Sequence, residues 1–326
     1  MYYSIIFSFV LSFKLFKIYS KNAPKKLLDI PNNRSMHTKP KPRGAGIIFV
    51  ALTLVSTLIY ILVFGVSRIY MITIILIPLS IIGLIDDLYN LPAITKYFIQ
   101  FFTSILIFKS SNLFDSLNLN LLNYIIFSIF ITIFITAIIN FINFMDGLDG
   151  LVSSCMLISI STTCFVLGID QNFLFLIGSL IAFIFWNWFP AKIFMGDIGS
   201  TFLAAINIGL ILQSENYIEA FGLLMVLSPC IIDPLVCVIR RFYFGENIFS
   251  AHRLHIYQRL NSRGIRQDRV SILYISITLL LSLSNIFLDI KFTLIIFSIV
   301  LLIGLYLDKF IAISFEKALK ASHNIQ

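Results

Sequence analysis

Windows of roughly 18 to 22 predominantly apolar residues recur from one end of this chain to the other, each long enough to cross about 30 Å of hydrocarbon as a helix. A water-soluble fold could not enclose them. Of 326 residues, 59% are hydrophobic and only 12% charged, and the mean hydropathy is +0.95, while surface-to-volume scaling leaves too little interior. The expectation is an all-α polytopic membrane protein, one domain over 1–326, with about eleven spans centred near residues 10, 55, 78, 103, 132, 159, 180, 206, 228, 279 and 302. Those at about 96–109 and 198–213 are the shortest. The first apolar run is read as a retained helix, because its lysines follow it and no small-residue cleavage site is present.

Basic residues orient such a chain, since loops rich in Lys and Arg stay in the cytoplasm. Of the 24 Lys and Arg, only Arg68, Lys109 and Lys291 fall on one side of the predicted spans; all the others fall on the opposite side. This bias puts the N-terminus outside and the C-terminus in the cytoplasm. The same alternation carries GLIDDLYNL (83–91), NFMDGLDGL (143–151) and FMGDIGS (194–200) to the cytoplasmic face, with the basic loops after the first and ninth spans. The outer connections hold little besides Asp115, Asp170, Glu215, Glu219 and Asp289.

Carboxylates next to hydrocarbon cost several kcal/mol unless they are solvated, paired or holding a cation. A single Asp ending a helix at the interface is ordinary; three clusters on one face are not. Asp86 and Asp87 point about 100° apart on a helix, so they need different partners or sit where the helix has ended. Asn143 and Asp146 are helix-surface neighbours, and Gly147 and Gly150 let the chain unwind so that Asp146 and Asp149 reach one pocket. Asp197, between Gly196 and Gly199 at a helix start, is a metal-ligand candidate beside a phosphate site. Acids and basic loops on one face suit Mg²⁺, with Mn²⁺ as a substitute, and a phosphate-bearing substrate. The four cysteines, Cys155, Cys164, Cys230 and Cys237, read as small buried hydrophobes without metal-ligand spacing. Most arginines simply carry the orientation signal, but Arg253 sits between His252 and His255 in FSAHRLHIYQRL (249–260), beside the expected phosphate site.

Together these segments resemble the polyprenyl-phosphate N-acetylhexosamine-1-phosphate transferases, glycosyltransferase family 4, over residues 29–260. The resemblance rests on DIPNNRSMHTKPKPRGAG (29–46), GLIDDLYNLPAITKYFIQ (83–100), NFINFMDGLDGL (140–151), WNWFPAKIFMGDIGS (186–200) and the histidine loop. It implies transfer of an N-acetyl amino sugar 1-phosphate from a UDP-sugar to undecaprenyl phosphate, with release of UMP, at the cytoplasmic face of a bacterial inner membrane. It implies Asp87 and Asp86 as catalytic, and Asp197, Asp149 and Asp146 at the metal. Substrate binding falls to Asn143, Asn187, Lys96, His252, Arg253, His255 and Arg43. Membrane lipid is an expected partner and nucleic acid is not; a homodimer is left open. Two departures stand out. Arg34-Ser35 replaces the family's Arg-Lys, and the last motif reads H-R-x-H-x-Y-Q where D-R-x-H-x-H-H is common. The second form resembles the O-antigen branch and points to a 6-deoxy donor, N-acetylfucosamine or N-acetylquinovosamine, over N-acetylglucosamine. The rival from another class is a secondary transporter, which would place acids on broken helices near the midplane.

Overall fold

The computed structural model describes residues 2–323 apart from 32–38, 116, 118, 170, 171, 249 and 251. Arg34 and Ser35 of the first loop, and Asp170 of the outer connections, lie outside the described residues. In chain order the helices are α1 (Tyr2–Asn22), α2 (Ile47–Phe64), α3 (Arg68–Ile75), α4 (Ile77–Tyr89), α5 (Ala93–Lys109), α6 (Leu121–Met145), α7 (Leu151–Val166) and α8 (Asn172–Asn187). They continue with α9 (Gly196–Ile211), α10 (Tyr217–Leu227), α11 (Pro229–Tyr243), α12 (Ile256–Ser262), α13 (Gln267–Phe287), α14 (Ile290–Tyr306) and α15 (Phe315–His323). Two short strands, β1 (Leu28–Asp29) and β2 (Lys41–Pro42), pair antiparallel with Leu28 opposite Pro42.

The protein is an all-α polytopic membrane protein. Helix occupies each of the eleven expected positions, with α3–α4 and α10–α11 each filling one of them. Among the described residues, six stretches are long and apolar enough to span by themselves, or seven if the pair Tyr217–Leu227 and Pro229–Tyr243, bent by 74°, counts as one. The bend falls at Ser228-Pro229, where proline removes a backbone donor. Helices α7 and α9 have 16 residues each, about 24 Å at 1.5 Å per residue, and lie inside the bundle. Every residue of α9 from Ile198 to Ile211 is buried. Outer helices bare their apolar side chains instead: Leu62 of α2, Phe130 of α6 and Leu302 of α14 are exposed, which only a lipid surround makes favourable.

Glycine sets how closely α9 is approached. A β-carbon at Gly83 of α4 would stand 2.6 Å from Ile198 Cα, and one at Gly46 would stand 2.5 Å from Gly199 Cα. Main chain therefore meets main chain at both places, and the first loop is stitched to the segment before α9. The Phe194 N–H donates to Pro42 O (2.7 Å), Ala45 N–H to Phe194 O (3.0 Å) and Gly46 N–H to Met195 O (3.0 Å). Two sequence segments far apart in the chain, the first loop and α4, are thus brought to the N-terminus of one buried helix.

Candidate active site

The close approach at Gly83 carries the next turn of α4 onto the start of α9. Asp87 accepts the backbone N–H groups of Asp197 (3.0 Å) and Ile198 (3.3 Å), two of the donors that a helix N-terminus leaves unpaired. Asp86 points elsewhere, as its helical angle requires. Its Oδ1 accepts the Leu91 N–H (2.7 Å), and its Oδ2 pairs with Lys96 Nζ (3.0 Å). Lys96 also reaches Asp197 Oδ2 at 3.1 Å, so it bridges α4 and α9. Gly196 is needed here on two counts: its φ is +74°, and a β-carbon would stand 2.3 Å from an Asp87 oxygen.

Arg43, from the stitched loop, donates to the Asp87 carbonyl (2.6 Å) and to Asn90 Oδ1 (3.0 Å). It closes the carbonyl end of α4, where positive charge is favoured. Lys41 of the same loop, which was not singled out from sequence, lies 3.7 Å from Asp149.

Helix α6 ends at Met145 and the chain turns through Asp146 to Gly150, whose φ is +74°. The two glycines of this turn serve different ends. Gly150 supplies the left-handed backbone, whereas Gly147 makes room: a β-carbon there would stand 2.3 Å from the Tyr257 hydroxyl. That hydroxyl donates to Phe144 O at 2.9 Å. Asn143 accepts from Ser200 Oγ (2.6 Å) and points its amide at Asp197 (3.5 Å). Asp149 accepts the Ala191 N–H at 2.8 Å. Asn187 is buried and engaged by protein on all sides: its oxygen accepts from Gly150 N–H and Ser153 Oγ, and its amide donates to Ile193 O. It ties the turn to the 188–195 segment and does not line the cavity described below.

The Asp146 carboxylate makes no hydrogen bond or ion pair with the described residues. Burial, followed by the charges of Asp197, Asp87 and Asp149, pushes its carboxyl up to about 8. Both oxygens of Asp87 are held by backbone, Asp149 is held by Ala191 and Lys41 and Asp197 by Lys96 and Asn143, which leaves Asp146 with the most open oxygens. A set of carboxylates short of countercharge, all hard oxygen donors, fits a magnesium-class ion.

The fourth segment is the histidine loop, and its anchor was not foreseen. Asp233 of α11 is buried and accepts Ile256 N–H (2.6 Å), Tyr257 N–H (3.1 Å) and Tyr274 Oη–H (2.7 Å). It caps α12 from another helix. The available signal was a carboxylate directly before Pro234 in an otherwise apolar span. Tyr257 and Gln258 are structural partners: Gln258 donates to the Tyr257 hydroxyl (3.1 Å) and accepts the His255 N–H (3.3 Å). His255 is 3% exposed. Burial, with Arg241 and Arg259 nearby, pulls its pKa down to about 3, so the ring is neutral. Its ring centroid lies 4.8 Å from that of His252 and 6.1 Å from that of Phe144. Arg253 is half-buried between the two histidines. A cavity of about 260 Å³ opens between this loop and Lys96, with Tyr97, Asn143, Phe144, His252 and His255 also in its wall.

The sequence profile of glycosyl transferase family 4 matches residues 69–215, from α3 to the end of α9. The chain is 30% identical over 268 residues to a Bacillus subtilis (strain 168) protein named "Probable undecaprenyl-phosphate N-acetylglucosaminyl 1-phosphate transferase", covering 76% of this chain and 73% of that one. It is 26% identical over 322 residues to the phospho-N-acetylmuramoyl-pentapeptide-transferase of Wolbachia sp. subsp. Brugia malayi (strain TRS), covering 87% and 96%. A shorter match, 30% over 118 residues, links it to the decaprenyl-phosphate N-acetylglucosaminephosphotransferase of Mycobacterium leprae (strain TN), covering 30% and 28%. The chain therefore belongs to glycosyl transferase family 4 and is a membrane-embedded phospho-sugar transferase.

Proposed function

We propose that the protein transfers an N-acetyl amino sugar 1-phosphate from a UDP-sugar to undecaprenyl phosphate, releasing UMP and starting an O-antigen or other cell-surface polysaccharide. The observation that carries this reading is the convergence of Asp87, Asp146, Asp149 and Asp197 beside a cavity walled by Lys96 and His252. Two polyanionic substrates can meet there only with added positive charge. The relatives' names, which give undecaprenyl and decaprenyl phosphates and N-acetylglucosaminyl groups, support the same acceptor and donor classes.

In the reaction, an acceptor phosphate oxygen bonds to the sugar-bearing phosphorus of the donor. The bond from that phosphorus to the bridging oxygen breaks, and its electron pair leaves with UMP. Asp197, Asp146 and Asp149 are the residues that would hold Mg²⁺, whose charge would stabilise the pyrophosphate as the bond breaks. Lys96 supplies a cation beside Asp197, and Arg253 with His252 holds the donor pyrophosphate from the loop. His255, being neutral, takes part only through hydrogen bonding. Asp87 orients the acceptor phosphate. That phosphate is largely ionised near pH 7, its second pKa being about 6, so proton removal contributes modestly. Asn187 and Arg43 position the turn and the end of α4.

The charge bias of the loops supports an outer N-terminus, a cytoplasmic C-terminus and a site open to the cytoplasm of a bacterial inner membrane. For the donor, the H-R-x-H-x-Y-Q form of the last motif supports a 6-deoxy sugar, N-acetylfucosamine or N-acetylquinovosamine. The name of the Bacillus subtilis relative favours a second reading, N-acetylglucosamine. The test is to incubate membranes containing the protein with each UDP-sugar, undecaprenyl phosphate and Mg²⁺, and to follow UMP. No UMP from any of the three donors would overturn the proposal.

A further inference from the structure

Behind the histidine loop lies a second convergence of donor atoms, of different chemistry from the acids. Cys237 of α11, His252 and His255 each offer a ligand atom, and all three atoms lie within 4.8 Å of one another. Cys237 and His255 are each 3% exposed. The Nδ1 of His255 is buried and has no hydrogen-bond partner among the described residues; Asp233 Oδ1 stands 3.9 Å away. A buried polar atom left in that state is unfavourable, and a metal–nitrogen bond would relieve it.

We propose that Cys237, His252 and His255 form a binding site for one borderline-soft divalent cation of the zinc class, separate from the oxygen-lined magnesium centre. One thiolate and two imidazoles select such an ion and reject Mg²⁺. A tetrahedral zinc brings these donors to about 3.5 Å of each other, so the side chains close by roughly 1 Å. The fourth position faces the cavity, whose wall includes both His252 and His255 and gives the ion its way in. On binding, the thiol proton is released to solvent and the sulfur bonds to the metal. Leu254, Phe315 and Leu319 pack around Cys237 as an apolar shell. The guanidinium groups of Arg240, Arg241 and Arg259 oppose a cation, but each of these is already engaged. Arg240 and Arg259 pair with Asp308, and Arg241 donates to the carbonyls of Asn247, Ile248 and Ser250.

Occupation ties the loop to α11 and withdraws both imidazoles from the cavity, so zinc inhibits transfer; this consequence rests on the transferase reading, whereas the site does not. The test uses the full chain purified in detergent with Mg²⁺ in excess. Cobalt titration should give a thiolate-to-cobalt charge-transfer band saturating at one equivalent and bleached by Zn²⁺. Cys237→Ser should lose the band, Cys237→Ala should do the same if serine disturbs folding, and Cys155→Ser should keep it. In parallel, Cys237→Ser should retain turnover and need at least about tenfold more zinc for half-inhibition. Absence of the band, or its survival in both Cys237 variants, overturns the site. Equal zinc sensitivity of the parent and Cys237→Ser overturns the inhibition. The cobalt arm needs no substrate and stands whether or not the proposed reaction is found.

Discussion

Asp87 and Asp197, 110 residues apart in sequence, are joined by a hydrogen bond from the backbone N–H of Asp197 to the carboxylate of Asp87 at 3.0 Å. One acid thereby fixes where the other begins its helix. Replacing Asp87 with Asn removes the charge-assisted character of two such bonds. A loss of about 1.5–3 kcal/mol in thermal stability is expected, together with a large fall in turnover. Asp197→Asn should instead lower turnover by about 10²–10³-fold while the protein stays in the membrane at normal amount, as for removal of a charge-stabilising group. Unchanged turnover in Asp197→Asn, measured as UMP release, would remove it from the metal centre.

Gly83→Val and Gly196→Ala test whether main-chain contact positions the acids. The first drives a side chain into Ile198 and the second drives a β-carbon into Asp87. Each should destabilise by about 1–3 kcal/mol or more and abolish activity. Gly65→Ala is the control, because nothing lies within 4 Å of its β-carbon position; its φ of +86° leaves only a local backbone cost. A melting curve of each variant in detergent decides it.

Asp233→Asn should loosen the histidine loop, because three donors converge on that carboxylate. The donor KM is expected to rise more than kcat falls. Tyr274→Phe removes one of the three bonds and should cost about 1 kcal/mol. Unaltered protease susceptibility of the 244–255 segment in Asp233→Asn would contradict the anchoring role.

Reporter fusions after residues 30, 90, 146, 194 and 255 should report cytoplasm, and a fusion near residue 115 the outside. A periplasmic signal at 146 would break the single-face arrangement.

Competing UDP-N-acetylfucosamine, UDP-N-acetylquinovosamine and UDP-N-acetylglucosamine at equal concentration should favour a 6-deoxy donor. The margin should not exceed about 10²-fold, the limit for a pocket rejecting an added hydroxyl by packing. Preference for the glucosamine donor would reverse the assignment.

The helices were legible because hydrophobic run length reports directly on a bilayer. Breaks inside a run were not: Leu76 between α3 and α4, and Ser228 between α10 and α11, sit within apolar stretches that spell one span. The divergent partners of Asp86 and Asp87 followed from helix geometry alone. Gly147 was read as a hinge, yet its lack of a side chain serves Tyr257, a residue 110 positions away that no local pattern connects to it. Asp233 escaped notice because a lone acid at a span end is ordinary until its three donors are in view. Cys237, His252 and His255 could not be joined from spacing, since α11 and the returning loop bring them together only in three dimensions.

Helix α14, whose apolar stretch is only 11% buried, can tilt to suit a thinner or thicker bilayer, as outer helices do when their length and the membrane disagree. The acids do not share that freedom. Their spacing is set where Gly83 and Gly46 let backbone rest on the backbone of α9, deep inside the bundle. Lipid composition should therefore alter how the protein sits in its membrane long before it alters the distance between Asp87 and Asp197.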